Sequence, residues 1–185
     1  NLIVWMPKEK IAFTGNITGP VWNSMPFLCT LRGDKLRMVW NYLASMKKLR
    51  DLNAEIIITG HGEPIRGAKK IRADIDRMIG AVSWIRDYTH EWMKTGKTLH
   101  ELIRDVTLPE APKIGEFNGK VSWAVKTIWE EYSGWFHYED GTTELYHVPR
   151  SAVSKDLVEL SGGSAVLARR ASKYVEEGKP LEAIQ

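Results

Sequence analysis

The chain has a single cysteine among 185 residues, Cys29, which excludes an intrachain disulfide and any cysteine-based zinc finger. Its expected role is that of a buried thiol. No uninterrupted apolar run approaches the roughly 20 residues that a membrane-spanning helix needs. A large excess of charge of one sign is also missing. The formal charge is +3, acidic and basic residues are interspersed, and Lys69-Lys70-Ile71-Arg72 is the densest basic cluster. That makes a mildly basic surface and not a stripe for nucleic acid. The five histidines, His61, His90, His100, His137 and His147, are all far apart, so the chain contains no histidine-rich metal loop. It also opens without methionine, at Asn1-Leu2-Ile3-Val4-Trp5-Met6, which reads as a strand already in progress. The expectation is the C-terminal part of a longer protein, with the cellular compartment left open.

What is present suffices for a core: 43% of residues are hydrophobic and eight are tryptophan. Leu2 to Trp5 and Ile11 to Thr14 are β-prone runs separated by a proline and charges, as in an antiparallel hairpin. From Asn16 to Pro26, glycine, proline, asparagine and serine mark a long loop, which Trp22, Met25 and Phe27 give an apolar lining. Leu36, Val39, Trp40, Leu43 and Met46 share one face of a helix, with Asp34 suited to cap it. Glu55 to Thr59 is the next strand. Strand signals then stop, and Ile71 to Ile85 repeat with helical spacing through to about Met93. Thr98 with Glu101 forms a capping box for a short helix. Val121 to Phe136 carry another apolar stripe, in which Trp123, Trp129 and Trp135 suit a core or a subunit interface. A final helix is expected over Ser164 to Gly178. The α/β part therefore gives way to an all-helical part near Gly67 to Ile71.

The candidate chemistry centres on His61. The β-branched run Glu55-Ile56-Ile57-Ile58-Thr59 empties into Gly60-His61-Gly62-Glu63-Pro64, so a rigid strand delivers an imidazole onto a glycine-flanked loop. Such a group ligates a metal or simply hydrogen-bonds a neighbouring carbonyl. Imidazole suits zinc, but zinc sites take three or four protein ligands, and one histidine does not make a site. Arg32 could meet an anionic group such as sulfate bidentately, face solvent, or pair with Asp34. The remaining histidines have no metal-like spacing and read as structural or exposed.

Thr59-Gly60-His61-Gly62-Glu63-Pro64 resembles the late metal-ligand loop of the metallo-β-lactamase superfamily, and Ile11-Ala12-Phe13-Thr14-Gly15-Asn16 resembles an earlier strand and metal loop of that superfamily. Thr30-Leu31-Arg32-Gly33-Asp34, Tyr132-Ser133-Gly134-Trp135-Phe136 and Leu157-Val158-Glu159-Leu160-Ser161-Gly162-Gly163 resemble the alkyl sulfatase branch. The resemblance implies an α/β plus all-α chain. Residues 1–68 would be the C-terminal part of a metallo-β-lactamase αββα sandwich, and 69–185 a helical dimerisation domain. It implies ester hydrolysis, sulfate esters included, by metal-activated water in the full-length protein, with a small-molecule ester as substrate, zinc as cofactor and a homodimer as assembly. The fragment alone would then be inactive and could hold no zinc. The superfamily's His-x-His-x-Asp-His loop is missing. Asn16 stands where relatives commonly carry an acidic ligand, although it also reads as a turn residue. Asp34 is the only acidic residue between Ile11 and Arg50. These departures leave a second expectation open, that of a non-catalytic helical assembly module joined to a degenerate α/β remnant.

Overall fold

A computed structural model of the chain describes residues 2–19, 21–29, 37–134 and 142–185. They divide into a larger unit up to residue 135 and a smaller one from residue 136. In the larger unit, strands β1 (Val4–Met6), β2 (Ile11–Gly15), β3 (Ile56–Thr59) and β4 (Ile65–Arg66) form a sheet in that order. The β1–β2 and β3–β4 pairs are antiparallel, while β2 and β3 run parallel. A parallel pair cannot be closed by a tight turn. The chain accordingly crosses from β2 to β3 through the long loop and helix α1 (Val39–Asp51).

The sheet's two faces differ in what covers them. Register aligns Trp5, Ala12 and Ile57 on one face, where Ala12 and Ile57 are fully buried. The opposite face carries two apolar rows, Val4–Phe13–Ile58 and Met6–Ile11–Ile56. None of these six side chains is buried, and Val4 is 52% exposed.

Helix α1 buries Val39, Tyr42, Leu43, Met46 and Leu49. The expected placement of Trp40 on that face is corrected: it is half exposed, because the buried stripe runs through positions 39, 42–43, 46 and 49 and position 40 is turned about 100° away. Trp40 instead lies under the Arg86 guanidinium, 4.4 Å from the ring centroid, and its indole N–H donates to the Tyr132 hydroxyl. Asp34, the expected cap, lies outside the described residues. The first free N–H of α1, at Val39, donates to the Glu131 carboxylate at 2.8 Å.

Helix α2 (Ala68–Met93) is the axis of the unit and packs against α1, against β3 and β4, and against α4 (Val121–Ser133). Its buried residues include Ile71, Ile75, Met78, Val82 and Ile85 at the expected helical spacing. Helix α3 (Leu99–Asp105) carries the reciprocal capping box of Thr98 and Glu101, whose paired hydrogen bonds hold the Glu101 carboxyl below its ordinary pKa. Helix α4 buries Val121, Val125 and Ile128. Trp129 is half-buried. Of the two settings expected for Trp123 the core is corrected: it is 41% exposed, with its ring edge-on to Phe27, as the subunit-interface alternative allows. Cys29 is corrected from a buried to a partly exposed thiol, since its neighbour Leu28 takes the buried position.

The smaller unit has two 3-10 turns (Thr143–Leu145 and Arg150–Val153) and helices α5 (Ser154–Leu160), α6 (Ser164–Glu176) and α7 (Pro180–Ile184). None of its described residues is buried, and Leu145, Leu157, Leu160, Leu181 and Ile184 are all more than half exposed.

The long loop is stitched to the segment before α4. Met25 N–H donates to Gly115 O at 2.7 Å, Gly115 N–H to Asn23 O at 3.2 Å, and Gly119 N–H to Met25 O at 3.2 Å. A Cβ on Gly119 would lie 2.3 Å from the Pro26 carbonyl oxygen, a backbone atom that cannot swing aside. Gly119→Ala is therefore expected to destabilise the chain by about 1–3 kcal/mol, read as a lower urea midpoint at unchanged slope. A midpoint equal to wild type would contradict the close approach.

Candidate functional site

The parallel register sets Gly15 opposite Thr59, so β2 and β3 end side by side and their loops leave from the same edge of the sheet. Ligands of α/β sheets gather beyond the carboxyl ends of parallel strands. Gly60 N–H donates to Gly15 O at 3.0 Å and continues the ladder one step past the strands. The Asn16 side chain fills the space where Gly60 has no Cβ: a Cβ there would lie 2.2 Å from Asn16 Oδ1. Glycine at position 60 thus lets the loop carrying His61 lie directly against Asn16.

His61 itself is exposed, as are Asn16 and Glu63. The Thr59 hydroxyl donates to the His61 carbonyl and closes the turn that carries the ring. Asn16 is held through its backbone, with Gly19 N–H donating to Asn16 O at 3.0 Å and Ile17 N–H to Thr14 O at 3.3 Å. Two of the three residues expected from sequence are therefore brought to one edge. The third, Arg32, lies outside the described residues.

The donor set fits a metal only in part. Among the described residues no group of three or more histidine, cysteine, aspartate or glutamate side chains is placed to hold a metal ion. His61 offers one good nitrogen ligand and Asn16 a weak amide oxygen. Of the other histidines, His147 and His100 are exposed and His137 lies outside the described residues. His90 is half-buried, edge-on to Tyr132 with centroids 4.1 Å apart, and burial together with the Arg86 charge pushes its pKa down.

Sequence reasoning passed over Asp74. It is 6% exposed on the inner face of α2 and accepts a hydrogen bond from the Trp22 indole N–H at 2.8 Å, which clamps the long loop to the helix. Lys70 and Arg77, one turn away on either side, reach the same carboxylate at 2.6 and 3.3 Å. Burial by itself would raise its pKa, but the hydrogen bonds from Lys70 and Trp22 and the charges of Lys70 and Arg77 hold the carboxyl below its ordinary value. An acidic residue inside the apolar stripe between Ile71 and Ile75, with bases at i−4 and i+3, was the available signal.

Asp74→Asn tests this clamp. A carboxyl with a depressed folded pKa lends stability that is fully present above its unfolded value near 3.9 and is lost as pH falls through the lower folded value. The difference in unfolding free energy between wild type and Asp74→Asn, measured in urea, is expected at about 1–3 kcal/mol at pH 7 and to shrink as pH falls below about 3.9 through the lower folded value. A pH-independent difference would contradict the assignment.

Residues 98–185 match the family model for the alkyl sulfatase dimerisation domain. A linear primary-alkylsulfatase of a Pseudomonas species is 30% identical over 168 residues, which is 88% of this chain and 31% of that protein. An alkyl/aryl-sulfatase of Saccharomyces cerevisiae is 23% identical over 96% of this chain and 28% of that protein. The solved structure of a stereoselective inverting sec-alkylsulfatase from Pseudomonas superposes with a TM-score of 0.79 at 23% identity, covering 99% of this chain and 29% of that one. A double mutant of the sec-alkyl sulfatase gives 0.82. The chain spans less than a third of the length of these relatives, and the shared fold is that of a mixed α/β chain with one small sheet and seven α-helices among the described residues.

Proposed function

Because residues 98–185 belong to the alkyl sulfatase dimerisation family and the chain as a whole falls in the alkyl sulfatase-like branch, we propose that it is the C-terminal part of a metal-dependent hydrolase of esters, sulfate esters in particular. Residues 1–68 are then the closing part of a lactamase-type sandwich, and 69–185 the helical dimerisation domain. The observation that carries the reading is the exposed His61 ring at the shared edge of β2 and β3, beside Asn16. An isolated surface histidine needs neither a parallel strand pair nor a side-chain-free neighbour to present it.

The uncovered rows Val4–Phe13–Ile58 and Met6–Ile11–Ile56 support the same reading, since an apolar sheet face of this kind calls for a second layer. In a complete site, His61 would hold one zinc ion and the remaining ligands would come from chain outside 1–185. Bound zinc supplies hydroxide from water near neutral pH and stabilises charge on the leaving oxygen. This chain's share is to fix the imidazole through β3, the Thr59 hydroxyl and the Gly60–Gly15 hydrogen bond.

The smaller unit supports assembly. Helices with no buried residue of their own need a partner surface to be stable, and a second copy of the chain provides it through matching patches. A second reading, a non-catalytic assembly module, draws on Asn16 in place of an acidic ligand and on the lack of a metal-ligand group among the described residues.

Metal analysis of the full-length protein separates the two. A hydrolase is expected to carry zinc near stoichiometry and to lose most of it in His61→Ala, whereas a degenerate scaffold carries none. Sedimentation equilibrium at micromolar concentration is expected to give the mass of a dimer; a monomer would contradict the assembly role.

A further inference from the structure

The last turns of α2 and α4 meet at His90. Its ring stands edge-on to Tyr132, and its Nε2 atom is buried without a hydrogen-bond partner. Tyr132 is in turn the acceptor for the Trp40 indole N–H, and the adjacent Glu131 carboxylate takes the Val39 N–H that opens α1. Three helices are thus joined through two neighbouring residues of α4, and His90 packs against one of them.

The carboxylates around the ring are already engaged. On α2, Asp87 is paired with Arg86 at 2.7 Å and Glu91 with Lys94 at 2.6 Å. Glu131 and Tyr132 face the ring from α4, with Glu131 taken up by the Val39 N–H at 2.8 Å. α1 contributes Trp40 to the junction, which carries no charge. A neutral imidazole can leave Nε2 as a bare lone pair, but in the imidazolium both nitrogens are donors. A cationic N–H buried there without an acceptor would cost the desolvation of a charged group. Burial first, and then the Arg86 charge, accordingly hold the His90 pKa below its ordinary value. Beside the ring lies a cavity of about 380 Å³, lined by Asp87, Glu91, Met93, Lys94 and Tyr132, with room for an imidazole that leaves its place.

We propose that His90 is a proton-operated latch on this three-helix junction. As a neutral ring it packs against Tyr132 and keeps the Tyr132–Trp40 hydrogen bond in place. As an imidazolium it swings into the cavity toward Asp87 and Glu91, and the first turn of α1 and the last turn of α4 loosen. The direction follows from linkage. A histidine whose folded pKa is depressed lends stability that is complete above its unfolded value near 6.5 and is lost as pH falls below that value toward the folded one. The Asp74 clamp titrates only below about 3.9 and stays intact through this window. The latch does not depend on the hydrolase reading.

Hydrogen–deuterium exchange of the full-length protein, read peptide by peptide and corrected for the intrinsic pH dependence of exchange, tests the latch. Wild type is expected to lose protection over residues 37–46 and 128–134 by about three- to tenfold between pH 7.5 and pH 5, while residues 71–85 of α2 keep theirs. His90→Gln is neutral at every pH, so its ratio between the two pH values is expected to stay near one, whatever its absolute protection. Glu91→Gln, an exposed change that removes one carboxylate from the cavity, is expected to move the loss to lower pH. Protection at the junction that does not change with pH in wild type, or a fall of the same size in His90→Gln, would overturn the proposal. So would a fall spread evenly over residues 71–85, which would mark general acid unfolding.

Discussion

The parallel ladder between β2 and β3 is the constraint on which the rest depends. Because both strands run the same way, Gly15 and Thr59 end at one edge, and the residues that follow, Asn16 and Gly60, are forced into contact there, with His61 next in the chain. An antiparallel pairing of the same two segments would have sent the two loops to opposite ends of the sheet. The parallel arrangement needs a long crossover, and in this chain it consists of the long loop and α1, which packs against α2 in the core that also holds Ala12 and Ile57.

That loop is irregular backbone at the centre of the fold, and it is fixed by its neighbours rather than by its own regularity. Trp22 is tied to Asp74 of α2, and residues 23–26 are laced to 115–119 by backbone hydrogen bonds that only glycine at 119 allows. Glu131, from α4, caps the first turn of α1. The edge bearing His61 thus shares a core with α2 and α4, of which α4 lies within the residues 98–185 matched by the dimerisation family.

Much of the secondary structure was legible in the sequence because its signals are local. The capping box of Thr98 and Glu101, the Ile71 to Ile85 stripe and the β-branched run into Gly60 are all set by residues within a few positions of each other. What escaped depends on distant partners. Strand β4 is two residues long and exists because β3 pairs with it, and α5 has no buried stripe of its own to announce it. Trp40 looked like a core residue until Arg86 and Tyr132 came to meet it at the surface. The exposure of His61 followed from its glycine-flanked loop, but the close approach of Gly60 to Asn16 is a property of strand pairing.

In the proposed hydrolase, the imidazole at this edge is one ligand of a zinc ion whose other ligands lie outside residues 1–185. Anomalous diffraction at the zinc edge from crystals of the full-length protein addresses it directly. A zinc peak about 2.0–2.1 Å from a ring nitrogen of His61 is expected. Zinc bound only elsewhere in the molecule, with the His61 ring free in solvent, would contradict it.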